Sequence, residues 1–396
     1  MKNNSIAISE SAYLVGVKDP KRKLFDGLIA LPEGTSYNAY LVFGKSKQAL
    51  IDTVNPGFEK KLARNINNLT KLKDLDYLIM NHAEPDHASA IPFIFLKNEK
   101  IKLVTTLMGS EMAKRFYGII QDRIIIIKDQ EKLDLGGKTL RFIEAPMLHW
   151  PETMFTYLEE EKILFSCDFF GAHMSKATFD NEAFNLEYHA QRYYGEIMMP
   201  FRAMAKRAME KIADLPIAVI APSHGPVYKN APRILELYKK WVEGETKKKV
   251  IVVYLSMWGS TKKMIEGMTK VFEEQKIEFV SYDLTACDVG DIAKDLVDVR
   301  ALVFAAPTVL GELHPVAGFA ANLVKALKPP LKYAVFLSSC GWAGGAGKNF
   351  KEITSGLKLE LVKELEIKGP PTDKDREEVR NAALALIGKL NADLII

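Results

Sequence analysis

The chain has 396 residues, 48% hydrophobic and 26% charged, which excludes a disordered protein and leaves room for about two domains. A net charge of +4 over 54 basic and 50 acidic residues requires no nucleic acid or acidic membrane as a partner. Three scattered cysteines (Cys167, Cys287 and Cys340), no apolar signal core and no run of ~20 apolar residues exclude a disulfide framework and a spanning helix, and predict a cytoplasmic, soluble protein.

The first strand-like runs are AYLVGV, YNAYLVFG and QALIDTV, followed by KLVTTL, RIIIIKD, TLRFIEAP, MFTYLE and KILFSCD. Helical patterns fall near 58–69, 109–117, 188–213 and 231–243. Adjacent strands interrupted by helices predict two sheets sandwiched between helices. Polar residues and a lysine run in WVEGETKKKV, 241–250, mark a junction, so one domain is expected over 1–246 and a second over 247–396. The second part alternates regularly: strands KVIVVYLSM, EFVSYDLTA, RALVFAAPT, KYAVFLSSC and LELVKELEIKG, with helices between them and a last helix at 373–390. That alternation predicts a doubly wound parallel sheet of the flavodoxin-like kind.

Between these elements, LDYLIMNH runs from apolar to polar and enters NHAEPDHASA, 81–90. There His82, Glu84, Asp86 and His87 lie within six residues, and Pro85 is expected to prevent a regular helix through them. A solvated turn would account for any one of these groups, but four at this density favour a metal site. Imidazole with carboxylate suits a divalent transition metal, and two of each fit half of a two-metal site. His149, Asp168 and His224 each close a later apolar run, which places them on the same edge of the sandwich.

The pattern H-x-E-x-D-H, then 61 residues, His149, then 18, Asp168, then 55, His224, resembles the flavodiiron proteins, as do LHWPETM and LFSCDFFG. The resemblance extends over essentially the whole chain. It implies an α/β architecture, an N-terminal metallo-β-lactamase-like αββα sandwich plus a C-terminal flavodoxin-like doubly wound sheet. By that resemblance His82, Glu84 and His149 hold one iron, Asp86, His87 and His224 the other, and Asp168 bridges them. Zinc hydrolases of the same superfold typically carry H-x-H-x-D-H, so Glu84 replaces an imidazole with a harder, anionic donor and favours iron redox chemistry. A binuclear zinc hydrolase with an accessory flavodoxin module is the alternative. His173, Tyr193 and Tyr194 are candidates to hydrogen-bond or protonate a substrate at the metals.

In the second part, LSMWGSTKKM follows the first strand and opens a helix. In the loop Ser256, Met257, Trp258, Gly259, Ser260 and Thr261, the hydroxyls of Ser256, Ser260 and Thr261 and the backbone at Gly259 suit an anion, Trp258 is with Trp342 an aromatic candidate to face the flavin ring, and the absence of G-x-G-x-x-G favours the monophosphate of FMN over a dinucleotide. Two further loops at the same edge, with Pro307, Thr308, Val309 and Leu310 and with Ser339, Cys340, Gly341, Trp342 and Ala343, are expected to flank the isoalloxazine ring. The family usually shows P-T-x-N and S-Y-G-W in these loops; Leu310 and Cys340 depart from it.

Dioxygen takes four electrons to become two waters, and two nitric oxides take two to give nitrous oxide and water. A diferrous pair with a reduced FMN matches either acceptor. The chain carries no C-x-x-C pair, so no rubredoxin domain is expected within it. The resemblance implies an external donor, a rubredoxin or a reduced deazaflavin coenzyme. It also implies a head-to-tail homodimer, or a dimer of such dimers, that brings one subunit's flavin to its partner's irons.

Overall fold

The computed structural model describes residues 5–393, which divide into two units between Val242 and Glu243. In the first unit, seven strands form one sheet in the order Ile6–Ala7, Ala12–Leu14, Tyr40–Phe43, Gln48–Ile51, Tyr77–Ile79, Lys102–Thr105 and Ile124–Ile126. Five more form a second: Lys132–Asp134, Thr139–Glu144, Met154–Leu158, Ile163–Cys167 and Val219–Pro222.

The two-residue period of a strand sorts the side chains of the first sheet between two cores. Tyr40, Val42, Ala49, Ile51, Ile79 and Val104 point into the space between the sheets, where they meet Leu140, Phe142, Met154, Leu158, Ile163 and Phe165. Their neighbours Leu41, Leu50, Leu78 and Leu103 point the other way, onto the helices Glu59–Asn67, Ile91–Lys97 and Leu107–Tyr117. Both faces are covered, so these strands read as continuous apolar runs. On the far side of the second sheet Phe155 stacks on Phe169 at 5.7 Å, and Phe169 meets Tyr238 of the helix Ala231–Glu243 at 4.9 Å.

Two local expectations need correction. The helical pattern over 188–213 is four elements: an α-helix Leu186–Tyr193, a π-turn Tyr194–Met198, a 3₁₀ turn Met199–Phe201 and an α-helix Arg202–Ile212. Pro200 lies in the break, where a proline removes the amide that a continuous helix needs. Pro85 does not prevent helix; it starts one, Pro85–Ala88. At the first helical position a proline loses only an amide that has no partner within the helix, and its fixed φ suits the turn.

In the second unit, parallel strands stand in the order Glu278–Asp283, Lys247–Tyr254, Val299–Val309, Tyr333–Cys340 and Glu360–Lys368. This is a doubly wound, flavodoxin-like order. The helices Ser260–Glu274 and Asp373–Ala392 cover one face through Met264, Met268, Phe272, Ala383 and Leu386. On the other, Phe304 and Phe336 stack on Phe350 at 5.0 and 4.8 Å. The segment expected as a loop after the third strand is partly strand: Val299–Val309 runs on and folds back through Glu312–Leu313. Among the described residues no helix is long and apolar enough to cross a membrane.

Candidate metal centre and flavin loops

The strand Tyr77–Ile79 delivers the chain to Asn81, whose amide N–H and side-chain NH₂ donate to the two carboxylate oxygens of Asp52 at 2.8 and 3.0 Å. Thr156 donates to the other end of the Asn81 amide at 2.7 Å. The peptide that precedes His82 is thus fixed from both sheets, and the short helix after Glu84 turns Asp86 and His87 back toward the same point. His149, Asp168 and His224 follow the strands Thr139–Glu144, Ile163–Cys167 and Val219–Pro222. All seven candidate ligands therefore reach one place from the ends of strands.

They form two groups. His82, Glu84, His149 and Asp168 bring ligand atoms within 4.8 Å of one another, and so do Asp86, His87 and His224. Asp168 joins the groups: its Oδ2 lies 3.4 Å from His82 Nε2 and 3.5 Å from His149 Nε2, and its Oδ1 lies 3.0 Å from His87 Nε2 and 3.4 Å from His224 Nε2. Glu84 Oε2 sits 3.1 and 3.0 Å from His82 and His149 Nε2, and Asp86 Oδ2 is 3.2 Å from His224 Nε2.

This arrangement fits a pair of cations. Both oxygens of Asp86 and of Asp168, and Nε2 of His87 and His224, are buried with no hydrogen-bond partner, a cost that a metal removes. The electrostatics agree. Burial alone would lower the imidazoles, yet Glu152 and Glu84 raise His82 to about 10, Asp86 and Asp168 raise His87 to about 9, and Asp168 and Glu84 raise His149 to about 10. Burial would raise the Asp168 carboxyl, but His87 and its fellow imidazoles hold it well below the usual carboxylate range. The pocket is therefore set to hold positive charge.

The outer partners fix the tautomers. His224 Nδ1 lies 2.7 Å from the Ser36 carbonyl, which can only accept, so Nδ1 carries the proton and Nε2 is left for a metal. His82 Nδ1 lies 2.7 Å from Glu152 Oε1, which also accepts from the Ala83 amide at 2.7 Å. Sequence reasoning missed Glu152, Asp52 and Ser36. Glu152 was within reach, since it lies inside the motif LHWPETM as the first carboxylate after His149. We expect Glu152→Ala to weaken iron binding about 10- to 100-fold, the usual effect of losing an outer partner. Competition against a graded series of iron chelators measures it, and wild-type affinity in the variant refutes the assignment.

The centre is open on one side. The side chains of Glu84 and His149 are 14% and 13% exposed, whereas His82, His87 and His224 are at 0%, so approach is past the first group. Asp26, in the turn between the strands Leu24–Phe25 and Ile29–Ala30, is another carboxyl that sequence reasoning missed. Burial, then the charge of Glu84, raises it. Phe25 beside it packs on His173 and His224 at 4.8 and 6.0 Å.

Of the three proposed substrate-side residues, the structure brings two to the cluster. His173 stands 5.0 Å from His224 and 4.8 Å from Tyr193, ring to ring, with Nδ1 3.0 Å from the Thr35 hydroxyl. Burial, then the neighbouring His224, holds it neutral. Tyr194 faces elsewhere, packing on Tyr238 and Trp241 at 5.3 and 5.2 Å. It begins the π-turn that follows Tyr193, which carries its side chain onto the helix Ala231–Glu243.

The flavin loops lie together at the carboxyl edge of the second unit's sheet. The helix Ser260–Glu274 starts at Gly259, whose φ of +88° suits glycine and where nothing lies within 4 Å of an added Cβ. Ser256 Oγ accepts from the Gly259 and Lys262 amides, both at 3.2 Å, so it shares amides of the kind a phosphate takes. Thr261 and Ser339 hydroxyls are 3.1 Å apart, tying the first loop to the third. Trp258, Leu310 and Trp342 are 89%, 99% and 86% exposed, and Met257 is 48% exposed. Large apolar side chains held in water from three adjacent loops fit a planar ring that would cover them. Cys340 faces away from this surface: its buried thiol points to the Ile367 carbonyl at 3.5 Å, leaving its backbone to meet a ligand.

Comparison with known proteins agrees with this architecture. The ODP family beta lactamase model matches residues 35–225. The nitric oxide reductase of Moorella thermoacetica is 35% identical over 91% of this chain and 92% of its own length. The flavo-diiron protein FprA2 of Clostridium acetobutylicum is 31% identical over 86% of this chain and 88% of its own. The structure of rubredoxin oxygen:oxidoreductase from Desulfovibrio gigas superposes with a TM-score of 0.96 at 28% identity, covering 99% of this chain and 100% of that one. With its two bridged ligand groups and its flavodoxin-like sheet, the chain belongs to the flavodiiron proteins.

Proposed function

We propose that the chain is an oxidoreductase that reduces dioxygen to water, nitric oxide to nitrous oxide, or both, with residues 1–246 as the diiron domain and 247–396 as the FMN domain. The observation that carries this reading is the position of Asp168, one carboxylate facing four imidazoles, two from each ligand group. When bound, two irons and FMN supply the electrons and an open coordination position.

The chain's own residues do the rest. His82, Glu84 and His149 would hold one metal and Asp86, His87 and His224 the other, with Asp168 placed to reach both. Glu152 and the Ser36 carbonyl keep the rings of His82 and His224 turned inward. Phe25 and Trp150 pack against His224 and His82 at 6.0 and 5.1 Å. His173 and Tyr193, beside His224, are the side chains we propose to hydrogen-bond a substrate. Tyr194 takes no part.

The names of the relatives include a rubredoxin oxygen:oxidoreductase and the coenzyme F420H(2) oxidase of Methanocaldococcus jannaschii, and on that ground the donor we propose is a rubredoxin or a reduced deazaflavin coenzyme in the cytoplasm. The test is metal analysis of protein made in iron-replete cells, then anaerobic reduction of the flavin and mixing with each gas in parallel. Flavin reoxidation by one gas or both, faster than in an Asp168→Ala protein that keeps FMN, supports the proposal. Two zincs without iron, or a flavin that neither gas reoxidises, removes it and leaves the zinc hydrolase.

We further propose that electrons cross between subunits of a head-to-tail homodimer. Mixing and re-pairing a His224→Ala chain with a chain unable to hold FMN should restore up to half of the turnover in the mixed dimers. If re-paired mixtures stay inactive while each variant keeps its remaining cofactor, transfer runs within one chain.

A further inference from the structure

The second and third flavin loops are joined by a side chain from a strand that belongs to neither. Glu360–Lys368 lies at the edge of the sheet, with Glu366 opposite Ser338 in parallel register. Glu366 Oε2 lies 3.2 Å from the Thr308 hydroxyl in the second loop and 3.3 Å from the Gly345 amide in the third. The carboxylate can only accept, so Thr308 donates to it and uses its oxygen to accept from the Ala346 amide at 3.2 Å.

The backbone around it is shaped to this contact. A Cβ on Gly344 would fall 1.3 Å from Glu366 Oε1, so a side chain there would push the carboxylate out of this position. A Cβ on Gly345, where φ is +155°, would fall 2.0 Å from the Gly311 carbonyl of the second loop. The two loops therefore touch, and the glycines of GWAGGAG are where Glu366 and Gly311 come closest. An exposed glutamate on an edge strand would ordinarily extend into water. This one is folded over a turn and accepts from both loops.

We infer that Glu366 is a positioning residue for FMN, holding the second and third loops in the mutual arrangement that the flavin requires. The inference rests on the FMN site proposed above, because Thr308 and Gly341–Ala343 are the groups that Glu366 steadies.

The experiment uses the full chain, stripped of FMN and titrated with FMN while its fluorescence is followed. Glu366→Ala should bind FMN about tenfold more weakly, equivalent to ~1.4 kcal/mol. Glu366→Gln keeps an oxygen that accepts the same two bonds, and should bind within about twofold of wild type, given that tenfold is 1.4 kcal/mol. Wild-type affinity in Glu366→Ala overturns the inference, and so does a Glu366→Gln protein that loses as much as Glu366→Ala. Thermal unfolding of each stripped variant shows that the alanine protein is folded when it is titrated. A wild-type chain that takes up no FMN would defeat the parent reading instead, which keeps the two failures apart.

Discussion

Asp168→Ala should abolish consumption of both gases, lowering turnover by more than about 100-fold, the upper end of the effect of losing a mere outer partner of a metal ligand. The reason is geometric. Asp168 is the one carboxylate that lies between the groups, within 3.0 to 3.5 Å of Nε2 of His82, His87, His149 and His224. Its removal leaves four imidazoles converging without the anion that offsets the charge of both cations. The loss should appear first as metal content, measured by elemental analysis, with fewer than two irons per chain. FMN should stay bound with a wild-type absorption spectrum, because its loops belong to the other unit. A variant that keeps two irons and more than a tenth of the turnover contradicts the bridging role, and one that loses FMN as well has suffered a general folding defect.

The convergence of the seven candidate ligands was legible because chemistry and periodicity agree there. Each follows an apolar strand, and strand ends on one edge of a sheet converge whatever the loops between them do. What was not legible depended on contacts across the fold. The carbonyl of Ser36 orients His224 from 188 positions away, and no side-chain pattern marks a carbonyl. Asp52 acts through Asn81, one step removed from any ligand. Pro85 is ambiguous in sequence because a helix breaker and a helix starter are the same residue, told apart only by where the turn begins. Tyr193 and Tyr194 were inseparable as neighbours in one helical pattern; the π-turn sends one to His224 and the other to Trp241. The flavin loops were legible in place, but Glu366 was hidden in a strand that reads only as an amphipathic edge.

The same physics explains how so many charges can be buried together. Three carboxylates and four imidazoles lie within two touching groups, and most are nearly closed to solvent. Removing charges from water costs several kcal/mol per ion unless they are paired with good geometry. Here each carboxylate faces at least one imidazole at 3.5 Å or less, and Glu152 faces the far nitrogen of His82. The outer hydrogen bonds of His82 to Glu152 and of His224 to the Ser36 carbonyl fix those two rings without a metal.

Glu84→His should redirect the centre from iron to zinc. The substitution converts H-x-E-x-D-H into H-x-H-x-D-H and changes one donor from a hard anion to a neutral imidazole, with Asp168 and the second group untouched. Glu84 is well placed for that exchange. Its backbone is extended, its side chain is 14% exposed, and its Oε2 meets both His82 and His149, so an imidazole has room and the same two neighbours. Burial alone would raise the Glu84 carboxyl, but those two histidines keep it well below the usual carboxylate range, so the wild-type site always presents a negative charge there. Without it the first metal position loses the anion that favours the ferric state, and imidazole-rich sites suit zinc. We expect the zinc-to-iron ratio to rise about tenfold or more in protein refolded with equal concentrations of the two metals, a shift of ~1.4 kcal/mol in relative affinity. Gas consumption should fall in step with iron occupancy. A Glu84→His protein that takes up iron in the wild-type ratio and consumes gas at the wild-type rate would show that metal choice is set elsewhere, by the second group or by the bridge.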